Sequence, residues 1–163
     1  MAEKSDENVI ATKPFNVEDV PWEPWSEGTR FGSRARHLSR FGGATHIGVL
    51  IEELQPGMQS SPAHYHMLEE EHMWIVEGTS TLRLGDKTYE VRAGDFVSFP
   101  AGQKAGHCLI NNSKSVCRFV VIGNRDPNDV CVYPDSRKVM VRATGEIYDQ
   151  EKTLDYWDRE KTT

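Results

Sequence analysis

The chain has 163 residues, of which 37% are hydrophobic and 27% charged, and its net charge is -6. This length fits one folded domain whose core needs no disulfide support. The acidic balance argues against a nucleic-acid partner, because phosphate backbones are bound by basic faces. No apolar run approaches the roughly 20 residues that cross a bilayer, and the N-terminus has no apolar secretory stretch. We therefore expect a cytoplasmic protein without a membrane partner.

The first 30 residues divide into two parts. Residues 1–13 are polar and charged, and we expect them to form a mobile tail. Residues 20–25 contain two prolines, which forbid a regular helix, and Trp22 and Trp25, whose rings need a surface to pack on. Residues 1–30 are therefore predicted to be a tail and an extended arm that lies across a barrel or a neighbouring subunit.

Residues 31–141 have the pattern of short strands separated by turns, which is typical of an all-β barrel or sandwich. No stretch of ten residues there keeps the 3.6-residue apolar period of a helix. The predicted strands are 34–39, 45–54, 72–77, 80–84, 87–91, 96–99, 105–111, 116–123 and 131–133. Residues 142–163 are charged with a few aromatic side chains and are predicted to be a C-terminal tail, either a short helix or a second arm.

The pair His64 and His66 gives the clearest indication of a function. Side chains two residues apart on a strand point to the same side, so the two imidazoles can share one ion. Glu71 begins the next predicted strand, and His107 lies in a strand much further along the chain. Strands that are distant in sequence meet across the interior of a closed barrel. We therefore predict one divalent metal ion held by His64, His66, Glu71 and His107.

Three imidazoles and one carboxylate suit several divalent ions and do not select one. This mixed nitrogen and oxygen ligation is compatible with Fe(II), Mn(II), Zn(II), Ni(II), Co(II) and Cu(II). The lack of thiolate ligands argues against a closed structural zinc site. An octahedral ion would keep two positions open for water or a small-molecule ligand.

Glycine and proline residues surround the four predicted ligands in two motifs. The motifs are Gly57…His64-Tyr65-His66…Glu71…Gly78 and Gly94…Pro100-Ala101-Gly102…His107…Asn111. Together they resemble the two motifs of the cupin superfamily. The spacing departs from the family pattern twice: six residues rather than five separate Gly57 from His64, and four rather than two separate Gly102 from His107. In detail the chain is similar to small bacterial single-domain cupins that carry the name of sugar-phosphate isomerases.

The resemblance implies an all-β fold, the double-stranded β-helix or jelly roll, here with an N-terminal arm and a barrel over residues 31–141. It also implies assembly as a homodimer. The fold leaves three classes of function open. One is an isomerase or epimerase of a sugar phosphate or another small polar molecule, with the metal as Lewis acid. The others are an Fe(II)-dependent dioxygenase and a non-enzymatic binding or sensing module. No catalytic acid or base is assigned.

Three arginines close to the arm form a basic cluster in this acidic chain. Arg34, Arg36 and Arg40 would share a face of a strand, and the planar guanidinium group suits a phosphate or a carboxylate. They are the predicted substrate-binding residues, and they favour a ligand like a sugar phosphate. The alternative is that the row protects an edge strand or pairs with acidic groups of a second subunit.

Overall fold

The computed structural model describes residues 13–161, so most of the tail predicted for residues 1–13 lies outside the described residues. The described chain consists mainly of antiparallel strands and one helix of four residues, α1. The elements are β1 Glu23–Glu27, β2 Phe31–Arg36, α1 Leu38–Phe41, β3 Ile47–Leu54, β4 Tyr65–His66, β5 Glu71–Glu77, β6 Thr79–Leu84, β7 Lys87–Arg92, β8 Phe96–Phe99, β9 His107–Ile110, β10 Cys117–Asn124, β11 Val130–Tyr133, β12 Lys138–Val141 and β13 Glu146–Asp149.

The strands form one larger sheet and two smaller ones. The larger sheet has the order β1-β2-β3-β10-β5-β8, and the smaller sheets have the orders β13-β12-β11-β4 and β7-β6-β9. A bridge between His64 and His107 joins the two smaller sheets. The larger sheet and the β7-β6-β9 sheet enclose a core made of Leu54, Met73, Ile75, Leu82, Phe99, Leu109, Cys117 and Phe119. The all-β jelly-roll prediction is confirmed.

Strand β3 shows how alternation assigns residues to the two faces of the larger sheet. Leu54 belongs to the core, so Glu52 and Leu50 on the same face point into the barrel. Glu53 points to the opposite face, where only 2% of its side chain is exposed because Arg34 and Arg118 cover it. Two adjacent glutamates thus lie in entirely different environments.

Two glycines are required by the turns that connect the strands. Gly85 has a φ of 59° in the two-residue turn between β6 and β7, as a tight hairpin needs. Gly78 has a φ of 78° between β5 and β6, and a Cβ atom there would overlap the carbonyl oxygen of Val116. Gly78, the second glycine of the first motif, therefore allows its backbone to approach the backbone of Val116 closely.

The predicted arm is part of the chain's own sheet. Strand β1 pairs antiparallel with β2 and forms an edge of the larger sheet, where Pro24 is tolerated. The ring of Trp22 packs under the guanidinium groups of Arg34 and Arg36, at 4.6 and 4.5 Å from its centroid. Trp22 therefore packs on arginines of its own chain, and its contact with a neighbouring subunit stays a prediction.

The strand predicted for residues 34–39 is wrong in its second half. Strand β2 ends at Arg36, and the helical turn α1 follows. This turn packs the ring of Phe41 against Phe15, with centroids 4.9 Å apart, and lets the hydroxyl of Ser39 accept a hydrogen bond from the backbone of Val49. Arg40 consequently does not share a strand face with Arg34 and Arg36.

The C-terminal segment also differs from the prediction. Residues Glu146–Asp149 form β13, which pairs with β12 in an antiparallel hairpin, and the described residues after it form turns rather than a helix. The pairing of β12 with β11 explains the difference, because an exposed edge of β12 offers unpaired backbone groups to the following segment. The barrel sheet therefore extends beyond residue 141.

Candidate metal centre

The predicted ligands lie in one region inside the barrel. His64 and His66 flank Tyr65 at strand β4, Glu71 is the first residue of β5, and His107 is the first residue of β9. The ring centroids of His64 and His66 are 5.1 Å apart, and those of His64 and His107 are 5.0 Å apart. The Oε1 atom of Glu71 lies 3.4 Å from Nε2 of His107. These four residues come from three separate segments of the chain, and the fold brings the segments close together.

The first two imidazoles each have one ring nitrogen already engaged. Nδ1 of His64 lies 2.9 Å from the carbonyl oxygen of Pro62, and Nδ1 of His66 lies 2.6 Å from Oδ2 of Asp129. Since a carbonyl or carboxylate oxygen only accepts, Nδ1 must carry the proton in both rings. The lone pair of each ring therefore resides on Nε2, which is the arrangement typical of metal-binding histidines.

His107 is buried but lacks hydrogen-bond partners. Its ring stacks on Phe99 with a centroid separation of 3.7 Å and an interplanar angle of 8°. Neither ring nitrogen has a hydrogen bond, although a buried polar group normally has one. Leaving such a group unpaired costs free energy, which a bond from nitrogen to a metal would recover. The orphaned nitrogens of His107, next to the carboxylate of Glu71, therefore fit a divalent ion.

The protonation states of the site agree with this chemistry. Burial and the neighbouring His107 together lower the pKa of His64 to about 4, so the imidazole is neutral at pH 7. Burial alone would raise the pKa of Glu71, but His107 and the two other histidines outweigh it and hold the pKa below its ordinary value. His64 is thus a neutral imidazole and Glu71 an ionised carboxylate, the forms that bind metals.

A buried network that contains the carboxylates of Asp129 and Glu69 lies next to the ring of His66. Asp129 is fully buried and accepts hydrogen bonds from His66 and from the backbone nitrogens of Leu68 and Glu69, at 2.9 and 3.2 Å. Burial would raise the pKa of Asp129, but these hydrogen bonds outweigh it and lower the pKa. Glu69 in turn accepts a hydrogen bond of 2.8 Å from Arg142, which follows β12. The imidazole of His66 is therefore fixed in orientation.

Two groups of donor atoms among the described residues lie within 4.8 Å of one another, and neither is the predicted set of four. The groups are His64, His66 and Cys131, and His66, Glu69 and Asp129. In the second group the short contact between Asp129 and His66 is a hydrogen bond, and Glu69 is paired with Arg142. In the first group, burial raises the pKa of Cys131 to about 11, so its sulfur is a protonated thiol. The carboxylates of the second group are therefore already paired, and the thiol of the first group keeps its proton.

A cavity of about 180 Å³ is lined by three of the four predicted ligands, all except His66, and by one further carboxylate. It is lined by Leu50, Glu52, Ser60, Ser61, His64, Glu71, Met73, His107, Cys108, Phe119 and Val121. Burial and the charge of Glu71 raise the pKa of Glu52 to about 7, against the opposing effect of the Ser33 hydroxyl. Glu52 can therefore hold or release a proton near neutral pH, which makes it suitable as a general acid or base.

The three predicted substrate-binding arginines do not form an anion site at this cavity. Arg34 donates a hydrogen bond of 2.6 Å to Glu53, on the face of β3 opposite to the cavity. Arg36 is buried and bonds to Glu18 at 2.7 Å, and Arg40 pairs with Glu23. Each arginine is thus neutralised by a carboxylate of its own chain. Their role in substrate binding stays a prediction.

Sequence reasoning missed both Asp129 and Glu52. Asp129 lies in the polar segment before β11, which resembles an ordinary turn, and only the folded chain brings it to His66. Glu52 did have a signal, because Leu50 and Leu54 flank it on the same strand face. A carboxylate in such an apolar row indicates a residue that points into the barrel.

The jelly roll and the cavity inside it define a barrel protein whose candidate site lies in its interior. The sequence model of the cupin domain matches residues 50–123. A solved structure from Acidithiobacillus ferrooxidans, named "putative sugar phosphate isomerase", is 30% identical over 76% of this chain and 80% of that chain, with a TM-score of 0.72. The chain therefore belongs to the cupin superfamily.

Two further solved structures are similar to this chain. A cupin named sugar phosphate isomerase, from Silicibacter pomeroyi, is 25% identical over 88% of this chain and 98% of that chain, with a TM-score of 0.77. A polyketide cyclase from Streptomyces resistomycificus is 26% identical over 70% and 80% of the two chains, with a TM-score of 0.60. Comparison with curated proteins gives no match. Within residues 13–161, no helix has the length and apolar character needed to cross a membrane.

The low pKa of His64 predicts a pH dependence for the stability of the metal-free protein. Between pH 6.5 and about 4 the unfolded chain binds a proton at His64 that the folded chain does not. The free energy of unfolding should therefore fall as the pH decreases through this range, by up to about 1.4 kcal/mol per pH unit from this group. Urea unfolding of EDTA-treated protein at several pH values measures the slope.

His64→Gln should reduce that slope by the contribution of one proton, whereas His46→Gln, at an exposed position, is the matched control. Equal slopes for wild type and His64→Gln would contradict the assignment.

Proposed function

We propose that this protein binds one divalent metal ion through His64, His66, Glu71 and His107 and uses it to isomerise or epimerise a small polyhydroxy carbonyl compound. The observation that carries the proposal is the cavity in which Glu52 accompanies the candidate ligands. Such a reaction needs a group that moves a proton, and Glu52 is a carboxylate outside the ligand set. The names of two similar structures, both sugar phosphate isomerases, support the same class of reaction.

The chemistry of the donor set determines what the metal would contribute. A bound divalent ion acts as a Lewis acid that polarises the substrate's carbonyl group. Glu52, with a pKa of about 7, takes a proton from the carbon next to that carbonyl. In an isomerisation Glu52 returns this proton to the carbonyl carbon, while the hydroxyl proton of the first carbon passes to the former carbonyl oxygen. In an epimerisation water supplies the proton to the opposite face of the first carbon, and Glu52 gives its proton to solvent. The apolar side chains of Leu50, Met73 and Phe119 keep water away from the reacting atoms.

The apolar part of the same lining supports the alternative, an Fe(II)-dependent dioxygenase, because oxygen chemistry also requires a site with little water. A non-enzymatic binding module is the third alternative. Glu52 favours the isomerase over both, since neither needs a cavity carboxylate with a raised pKa.

Assembly as a homodimer is a second part of the proposal, supported by an exposed apolar area on the larger sheet. Trp74 and Phe96 are neighbours in the register of β5 and β8, and 48% and 60% of their surfaces are exposed. Val76 extends this outer area. Exposed aromatic patches of this kind mark interaction sites, and a second copy of the chain would cover it. The cytoplasmic location stays a prediction.

The metal assignment is tested by elemental analysis of the purified protein. We expect about one divalent ion per chain in the wild type and almost none in the His64→Ala, His66→Ala double variant. Asp129→Asn, which disturbs the orientation of His66 and the segment leading to Glu71, should weaken metal affinity about 10- to 100-fold. Asp155→Asn, in the exposed C-terminal turn, is the control. Full metal content in the double variant would overturn the assignment.

The reaction class is tested with Zn(II) and Fe(II) forms side by side on one panel of ketoses and aldoses. An isomerase should incorporate deuterium from D2O with either metal and consume no oxygen. Glu52→Gln should lower this incorporation by about 10²- to 10⁴-fold while keeping its metal, and Glu77→Gln on the outer face should not. Oxygen uptake that requires Fe(II) and ligand would favour the dioxygenase. The absence of both oxygen uptake and deuterium incorporation would favour the binding module.

Dimer formation is tested by light scattering of the wild type and of the Trp74→Ser, Phe96→Ser double variant. The wild type should have twice the chain mass of 18.5 kDa, and the double variant should shift to a single chain mass. Tyr156→Ser, Trp157→Ser changes two exposed aromatic rings elsewhere and should leave the dimer intact. A wild type of single chain mass would contradict the proposal.

A further inference from the structure

A second, larger cavity adjoins the one next to the candidate ligands. It has a volume of about 390 Å³ and lies between the N-terminal strand β1 and strand β3. It is lined by Glu23, Pro24, Trp25, Ala35, His37, Leu50, Glu52 and Ser60. Leu50, Glu52 and Ser60 also line the inner cavity. The two spaces therefore meet at Glu52, and a molecule lying across them would reach from β1 to the candidate metal ligands.

The indole ring of Trp25 is fixed beside the outer cavity. Its Nε1–H donates a hydrogen bond of 2.8 Å to the hydroxyl of Ser33 on the adjacent strand. Ser33 is also the hydroxyl that lowers the pKa of Glu52. A large part of the ring, 44% of the residue, is nevertheless exposed. An anchored and accessible indole face suits the C–H face of a sugar ring, because it offers apolar contact without losing rotamer freedom on binding.

The charges around the two cavities are acidic or neutral. Among their lining residues are Glu23, Glu52 and Glu71, and neither lining contains a lysine or an arginine. Burial and the charge of Arg40 lower the pKa of His37, so this imidazole is neutral at pH 7. Phosphate groups are normally bound by arginine, lysine or helix N-termini, and the linings offer none of these side chains.

The carboxylates of the site reduce its attraction for an anion further. When Glu52 is ionised, it and Glu71 together carry two negative charges, which equal the charge of a divalent ion. A phosphate ester with nearly two negative charges would then gain little from the ion and would meet Glu23 at the outer end, although Arg40 partly neutralises that residue. Hydroxyl groups, in contrast, can donate hydrogen bonds to carboxylates at both ends.

We propose that the outer cavity is the substrate-recognition part of the metal centre and that it binds an uncharged polyhydroxy carbonyl compound in preference to its phosphate ester. Trp25 packs on the sugar ring, Glu52 contacts the part next to the reacting carbon, and Ser33 holds Trp25 in place. The inference rests on the proposed isomerase function, and it narrows the substrate class from sugar-like molecules to unphosphorylated ones.

The test uses the full-length Zn(II)-loaded protein and two probes that both form a pyranose ring and differ only in the phosphoryl group, D-glucose and D-glucose 6-phosphate. Ligand-observed NMR titration gives the dissociation constant of each. We expect the constant for D-glucose to be at least ten times lower than that for the phosphate. Trp25→Ala should raise the constant for D-glucose at least tenfold, and Ser33→Ala, which removes the anchor of the indole together with the hydroxyl beside Glu52, a few-fold. Trp157→Ala, at an exposed C-terminal ring, is the control.

Tighter binding of the phosphate, binding of neither probe, or unchanged constants in both Trp25→Ala and Ser33→Ala would overturn the assignment of this cavity. Elemental analysis of the same samples separates this failure from failure of the proposed function. A protein that keeps one metal ion and exchanges deuterium but prefers the phosphate has the proposed function and a different substrate class.

Discussion

The buried carboxylate of Asp129 is the interaction on which the candidate metal centre depends. It connects the segment before β11 to the segment between β4 and β5 through one imidazole and two backbone nitrogens. That segment carries His66 at its start and Glu71 at its end, so one carboxylate fixes the positions of two predicted ligands. An unpaired carboxylate would be expensive to bury, and the network is therefore stable only when all of its donors are in place.

The two neighbouring glutamates of β3 show how the same side chain acquires opposite properties. Glu53 lies between Arg34 and Arg118, and hydrogen bonds from these arginines lower its pKa against the effect of burial. Glu52 faces the cavity, where burial and Glu71 raise its pKa to about 7. Because side chains alternate between the two faces of a strand, Glu53 stabilises the sheet whereas Glu52 is available for proton transfer.

Much of the fold follows from local patterns, whereas the site depends partly on contacts between distant segments. The four predicted ligands could be found because the histidine pair, the carboxylate and the third histidine stand in recognisable motifs. Asp129 could not, since its partner His66 is far away along the chain. The prediction that Arg34, Arg36 and Arg40 share a strand face was wrong, because three charges close in sequence were assumed to lie on one strand. Helix α1 turns the chain after Arg36, and each arginine meets its own carboxylate.

Strand β1 occupies the edge of the larger sheet and pairs only with β2, yet its indole borders the mouth of the binding cavity. The barrel core and the candidate metal ligands come from other strands. Substitutions in β1 thus leave most of the stabilising contacts untouched while they reshape the surface that a ligand meets first. If the outer cavity recognises the substrate as proposed, ligand selection and metal chemistry lie on separate parts of the chain, and related proteins can then diverge in what they bind without rebuilding the reactive centre.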